Sequence, residues 1–161
     1  MTDLTEAIQR GWATADADAP EPAVSYFRDL LAQHPRDRHA LFAYASALDF
    51  ADREADAVPA YEQAFAAGLD RDDLRQGLVQ YGSTLRNLGR FDDAVTVLRQ
   101  ADNQFPGHAS VNVFLALALS SAGRCPEAVR ILITLAVDRI DSDELQQYQR
   151  ALRSYAADLT K

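Results

Sequence analysis

The chain has 161 residues, 48% of them apolar and 25% charged, with a net charge of −8. That balance predicts one soluble domain with a sizeable core and excludes low-complexity, collagen-like and disulfide-scaffold chains. Its 29 Ala and 15 Arg, against 7 Gly, 6 Pro and the single Lys161, favour helix throughout and leave no lysine for a P-loop or a Schiff base. The surplus of acid argues against a phosphate-backbone binder, so nucleic acid is not an expected partner. Cys125 has no second cysteine to pair with, which fits a reducing compartment. Met1 to Glu6 lacks the basic start and apolar run of a secretory signal, and the longest apolar runs, Val113 to Leu119 and Ile131 to Leu135, are too short to span a bilayer. A cytoplasmic location without a membrane partner is expected.

Four six-residue blocks recur along the chain: Asp18 to Ala23, Asp52 to Ala57, Gly89 to Ala94 and Gly123 to Ala128. Their closing alanines are 34, 37 and 34 residues apart, one period with a three-residue insertion near Gly68 to Asp73. Pro35 and Pro106 each lie 12 residues after the alanine of their own block, where a second helix must stop. Each block reads as a turn between two helices, because Gly and Asp, its opening residues, most readily take a left-handed backbone. Glu21, Asp56, Asp92, Asp93 and Glu127 then fall in the first turn of the next helix, where the dipole favours negative charge. Pro20, Pro22 and Pro126 fit there as well, where no N–H partner is lost.

Taken in order, the repeats cover about 4–37, 38–74, 75–108 and 109–142. The first helices carry i, i+3, i+4, i+7 stripes: Leu41-Tyr44-Ala45-Leu48, Leu78-Tyr81-Gly82-Leu85 and, at the same offsets, Asn112-Leu115-Ala116-Leu119. A small residue (Gly11, Ala45, Gly82, Ala116) precedes each block alanine by 12 positions, so two small contact points face each other across every helix pair. Four residues past the block alanine come Phe27, Tyr61, Leu98 and Leu132, and three further on Leu30, Ala64, Ala101 and Leu135, all expected to fill the layer between repeats. Pro59 lies inside the second helix of the second repeat and must either delay that helix to about Ala55 or kink it. Leu145, Tyr148, Leu152, Tyr155 and Leu159 mark a capping helix over about 143–159, started by Asp141 or Ser142, with Gln146, Gln147, Gln149, Arg150 and Arg153 on its polar side. The total expected is nine helices.

This pattern resembles the tetratricopeptide repeat, a 34-residue helix-turn-helix unit with a Leu-Gly…Tyr…Ala…Phe…Pro signature. The resemblance covers about residues 4 to 140 and is densest from Tyr81 to Ala94. Together with Val113 to Leu119 that stretch looks like a bacterial subgroup, akin to the fifth group of the family, with no assigned enzyme activity. Arg10 in place of Leu, Leu69 in place of Pro and Asn112 in place of Trp depart from the pattern. The resemblance implies an all-α, right-handed superhelical stack of about four repeats plus the capping helix.

It further implies a concave groove lined by the first helices. The matching positions are Thr5, Ile8, Trp12 and Ala15; His39, Phe42, Ser46 and Asp49; Gln76, Val79, Ser83 and Arg86; Ser110, Val113, Leu117 and Ser120. The expected binding residues among them are Ile8, Trp12, His39, Phe42, Ser46, Val79, Ser83, Arg86, Val113 and Leu117. Either the floor of Ile8, Phe42, Val79, Val113 and Leu117 is an exposed docking patch with Trp12 at its mouth, or some of these turn inward or pack under the capping helix. The carboxylate clamp that some relatives use has no counterpart: the matching positions hold Ile8, Trp12, Ala43, Gln76 and Gln80, or in the next register Phe42, Ser46, Gln80, Ser110 and Phe114.

The expected function is therefore a protein-binding adaptor whose groove takes an amphipathic helix or an aromatic-bearing peptide, with Trp12 and Phe42 as anchors. The alternative is a homodimer in which the groove is the self-association interface. Acids at the turns (Asp16, Asp18, Asp49, Asp52, Asp56, Asp70, Asp72, Asp73) are read as caps and solvated loops, the other reading being a rim for a basic partner. No enzyme motif joins His34, His39, His108 and Cys125. Arg36 and Arg38 beside the first two repel cations, so no catalytic residue, metal or cofactor is expected. Cys125, next to Arg124 at a helix start, has the setting of a redox handle but no resolving cysteine.

Overall fold

A computed structural model describes residues 4–159. The chain forms α1 (Leu4–Ala13), α2 (Glu21–Gln33), α3 (Arg38–Phe50), α4 (Glu54–Ala66), α5 (Arg71–Asn87), α6 (Phe91–Gln104), α7 (Ala109–Ser121), α8 (Cys125–Arg139), α9 (Asp143–Gln147) and α10 (Gln149–Asp158). Each odd helix from α1 to α7 packs against the even helix that follows it; α2, α4 and α6 pack against the next odd one, and α8 against α10.

Three of the connections share one device. Asp52, Gly89 and Gly123 take φ of 53°, 76° and 75°, and the following residue donates its N–H back to a buried leucine carbonyl: Arg53 to Leu48 (2.9 Å), Arg90 to Leu85 (2.9 Å) and Arg124 to Leu119 (2.8 Å). This closes the ends of α3, α5 and α7 with the backbone itself. Those arginines then reach the acid three residues on, Asp56 at 2.7 Å, Asp93 at 2.8 Å and Glu127 at 2.6 Å. The first block departs from this expectation. Asp18 is not left-handed; residues 14–20 make a longer connection, held by a bridge between Asp16 and Ala19 and by the Asp18 N–H donating to Asp16 Oδ1. A loop of that length reverses direction without a left-handed residue.

The small positions are where paired helices close up. An added Cβ on Gly11 would stand 2.6 Å from Phe27 Cζ, and one on Gly82 would stand 2.5 Å from Leu98 Cγ. Ala45, Ala57 and Ala94 are fully buried at the other contacts. Phe27, Tyr61 and Leu98 are buried as expected, but Leu132 is 44% exposed. Beyond α8 no further full repeat follows: α10 packs on α8, where Val137 is buried, and Val129 and Leu132 stay open.

The core forms two clusters, one around Phe27, Leu48 and Tyr61 and one around Leu85, Leu98 and Leu119; Phe65 and Tyr81 belong to both, their rings 5.5 Å apart. Pro59 lies inside α4, which starts at Glu54, next to the expected Ala55, and runs unbroken to Ala66. Ala55, whose carbonyl the missing N–H would have met, is an exposed residue, so the lost bond lies on the solvent side of the helix.

The single capping helix is instead two, giving ten helices among the described residues. Ser142, not Asp141, caps α9, and the chain breaks at Tyr148. Against the expected stripe, Ala156 is buried while Tyr148 and Tyr155 are exposed. Because Ala94 is fully enclosed and Gly82 has no room for a side chain, Ala94→Leu and Gly82→Val are each expected to lower stability by roughly 1–3 kcal/mol. Urea unfolding followed by circular dichroism checks both.

Candidate functional site

The first helices of the first three pairs lie side by side, with α3 packed between α1 and α5. On α3, His39, Phe42, Ser46 and Asp49 recur at helical spacing and share one face. Leu4, Ile8 and Trp12 do the same on α1, and Asp73, Gln76 and Gln80 on α5. Together they enclose a cavity of about 590 Å³. Its α1 wall is largely apolar and its α5 wall polar and acidic.

Of the residues expected from the sequence, Ile8, Trp12, His39, Phe42 and Ser46 line this cavity. Val79, Ser83, Arg86, Val113 and Leu117 lie outside it. Phe42 and Val79 are turned into the core, at 9% and 8% exposure, whereas Val113 and Leu117 are open to solvent at 37% and 45%. Trp12 is half-buried, its ring 4.7 Å from that of Phe27 and edge-on to Phe50 at 5.9 Å.

A polar network runs beneath the cavity. Gln80 Oε1 accepts from the Ser46 hydroxyl at 3.0 Å and from the Tyr61 hydroxyl at 3.3 Å. The fully buried Thr84 donates to Asp49 Oδ1 at 2.5 Å. Burial pushes the Asp49 carboxyl above its ordinary range; the Thr84 hydrogen bond pulls it back in part, and the charges of Glu54 and Asp52 push it further up. Burial, with the Asp49 charge, likewise raises the Tyr61 phenol.

At the other end His39 joins the second repeat to the third. Its Nδ1 lies 2.8 Å from Asp73 Oδ2 and its Nε2 3.9 Å from Asp70 Oδ2, while Arg38 Nε–H donates to Nε2. Asp70 caps α5, and the N–H groups of Asp73 and Asp72 help hold its carboxyl below the usual carboxylate range. His39 thus does have acidic partners, supplied by the next repeat. These three side chains are the one group of potential metal ligands brought together among the described residues. With the Arg38 guanidinium on Nε2 and Asp73 on Nδ1, the ring is already satisfied as a clasp between repeats. His34, His108 and Cys125 are exposed and lie outside this cluster.

Sequence reasoning missed Asp70, Asp73, Gln80 and Thr84 as partners of the groove residues. His39 aligns with Gln76 and Ser46 with Ser83 in the next repeat, yet the contacts fall at Asp73 and Gln80, 34 residues on. Between α3 and α5 the contacts keep the plain 34-residue period, so an alignment that includes the three-residue insertion points one turn too far.

The sequence profile described as Tetratrico peptide repeat matches residues 38–159. The chain belongs to the tetratricopeptide repeat family. Solved structures of similar fold include three of MamA. The crystal structure of MamA protein shares 17% identity over 92% of this chain and 76% of that one, with a TM-score of 0.67. MamA AMB-1 shares 22% over 90% and 78% at 0.66. The MamA RS-1 double mutant shares 17% over 98% and 88% at 0.68. At these identities the likeness is one of fold. No curated protein matches the chain in sequence. Among the described residues no helix is long and apolar enough to cross a membrane.

A carboxyl raised by burial holds its native state back at neutral pH, because the ionised form is less welcome in the fold than in the unfolded chain. Asp49→Asn, which keeps an oxygen for Thr84, is therefore expected to melt higher than the native protein at pH 7. The difference should shrink as pH falls through the carboxylate range and Asp49 takes up its proton. Thermal melts across a pH series measure both.

Proposed function

We propose that this tetratricopeptide protein is an adaptor that binds a peptide or helix of a partner protein in its concave groove, seated in the cavity between α1, α3 and α5. The family's fold is a protein-interaction scaffold. The observation that carries the finer reading is the cavity itself, about 590 Å³ with one apolar and one polar wall, which suits a ligand with two unlike faces. Ile8 and Trp12, half-buried at its edge, are the anchors this reading favours. Phe42 supports the floor from within the core, and a charge placed there would test folding instead of binding.

Selection of a random dodecapeptide library displayed on phage gives the test. Peptides recovered on the native protein are expected to bind an Ile8→Arg variant at least about tenfold more weakly, a loss of roughly 1.4 kcal/mol, once circular dichroism has shown that variant to be folded. Equal binding by both would remove the ligand from this cavity.

A second reading, self-association, is favoured by a different observation. Val113, Leu117, Val129 and Leu132 on α7 and α8 are all more than a third exposed, an apolar content that solvent-facing helices seldom carry without a partner. Under that reading light scattering gives twice the chain mass, and Leu132→Glu returns it to the monomer value. A native protein that is monomeric at all accessible concentrations ends it.

A further inference from the structure

The cavity between α1, α3 and α5 carries an uncompensated charge. Asp49, Asp70 and Asp73 line it together with Trp12, Phe42 and Phe50, and no lysine or arginine does. Asp70 and Asp73 are engaged with His39 and with the start of α5. Asp49 differs from them. It takes the Thr84 hydroxyl and is reached by the Tyr61 phenol, and no cation pairs with it among the described residues. A carboxylate partly withdrawn from water costs free energy that a cation at the same place would offset, and burial has already pushed the Asp49 carboxyl up.

The surroundings favour a positive guest in two further ways. Asp49 and Phe50 are the last residues of α3, and Trp12 is next to last in α1, so helix C-termini with their partial negative charge meet at this end of the cavity. The Phe50 ring, 36% exposed, stands 5.9 Å from Trp12 and directly follows Asp49 in the chain. Aromatic rings beside a carboxylate suit a guanidinium better than an ammonium, since the planar group stacks on a ring while its N–H groups reach the oxygens. The chain's net charge of −8 draws such a ligand in.

We infer that the Asp49 end of this cavity receives an arginine side chain of the bound partner segment, whose apolar residues lie along Leu4 and Ile8 on the α1 wall. This inference rests on the groove-binding reading above.

The test uses the full chain, Asp49→Asn and the same dodecapeptide library. Arginine should be enriched among peptides selected on the native protein. Citrulline, which keeps the shape of arginine and loses its charge, should weaken a synthetic copy at least about tenfold, read from the emission of Trp12, the single tryptophan. On Asp49→Asn the two copies should bind within about twofold of each other. Selected peptides without arginine, or a citrulline copy that binds the native protein equally well, would overturn the inference while leaving the groove reading intact. A citrulline penalty undiminished in Asp49→Asn would also overturn it, by placing the cation elsewhere. Failure to select any peptide, or equal binding to Ile8→Arg, would sink the groove reading and the inference together.

Discussion

Every layer of this molecule depends on how closely two helices of a pair can approach. At Gly82 the backbone of α5 lies so near Leu98 that a single added carbon would stand 2.5 Å from Leu98 Cγ, and Gly11 has the same relation to Phe27. Small residues recur at these contacts, and large side chains from the second helix fill the space they leave. Close pairs of constant geometry stack at a constant offset, and the stack turns one face of each first helix toward its neighbours. The cavity between α1, α3 and α5 is a consequence of that geometry.

The turns keep the pairs in register through backbone and charge together. A left-handed residue lets the next N–H close on a buried leucine carbonyl, and the same residue, always arginine, pairs with the acid that opens the following helix. Exposed ion pairs of this kind add little each, about 0–1 kcal/mol. Their effect is to place Arg53, Arg90 and Arg124 on local carboxylates at the turns. The cavity between α1, α3 and α5 is lined by carboxylates and by no lysine or arginine, and one of them, Asp49, sits where burial works against its charge. Under the proposed groove reading, that unfavourable burial is offset when a ligand binds.

The first end of the stack and the last end differ. At the first, α1 carries the apolar wall of the cavity and Trp12 seals against Phe27. At the last, α10 shields one flank of α8 and leaves Val129, Leu132 and Ile140 exposed. On α10 the buried residue is Ala156, while Tyr155 faces solvent.

The sequence by itself determined the all-α class, the paired helices, the turns at Asp52, Gly89 and Gly123, and the small and large positions that interlock. All of these follow from information within one repeat, where spacing along the chain equals spacing in space. Only the tertiary structure decided that Phe42 and Val79 turn inward, that His39 meets Asp73, and that Thr84 reaches Asp49. It alone also decided that Leu132 stays open while its equivalents Phe27, Tyr61 and Leu98 are covered. The physical reason is the register between neighbouring first helices, together with the end of the repeat array. Both are settled by packing between units, and neither follows from the pattern inside one repeat.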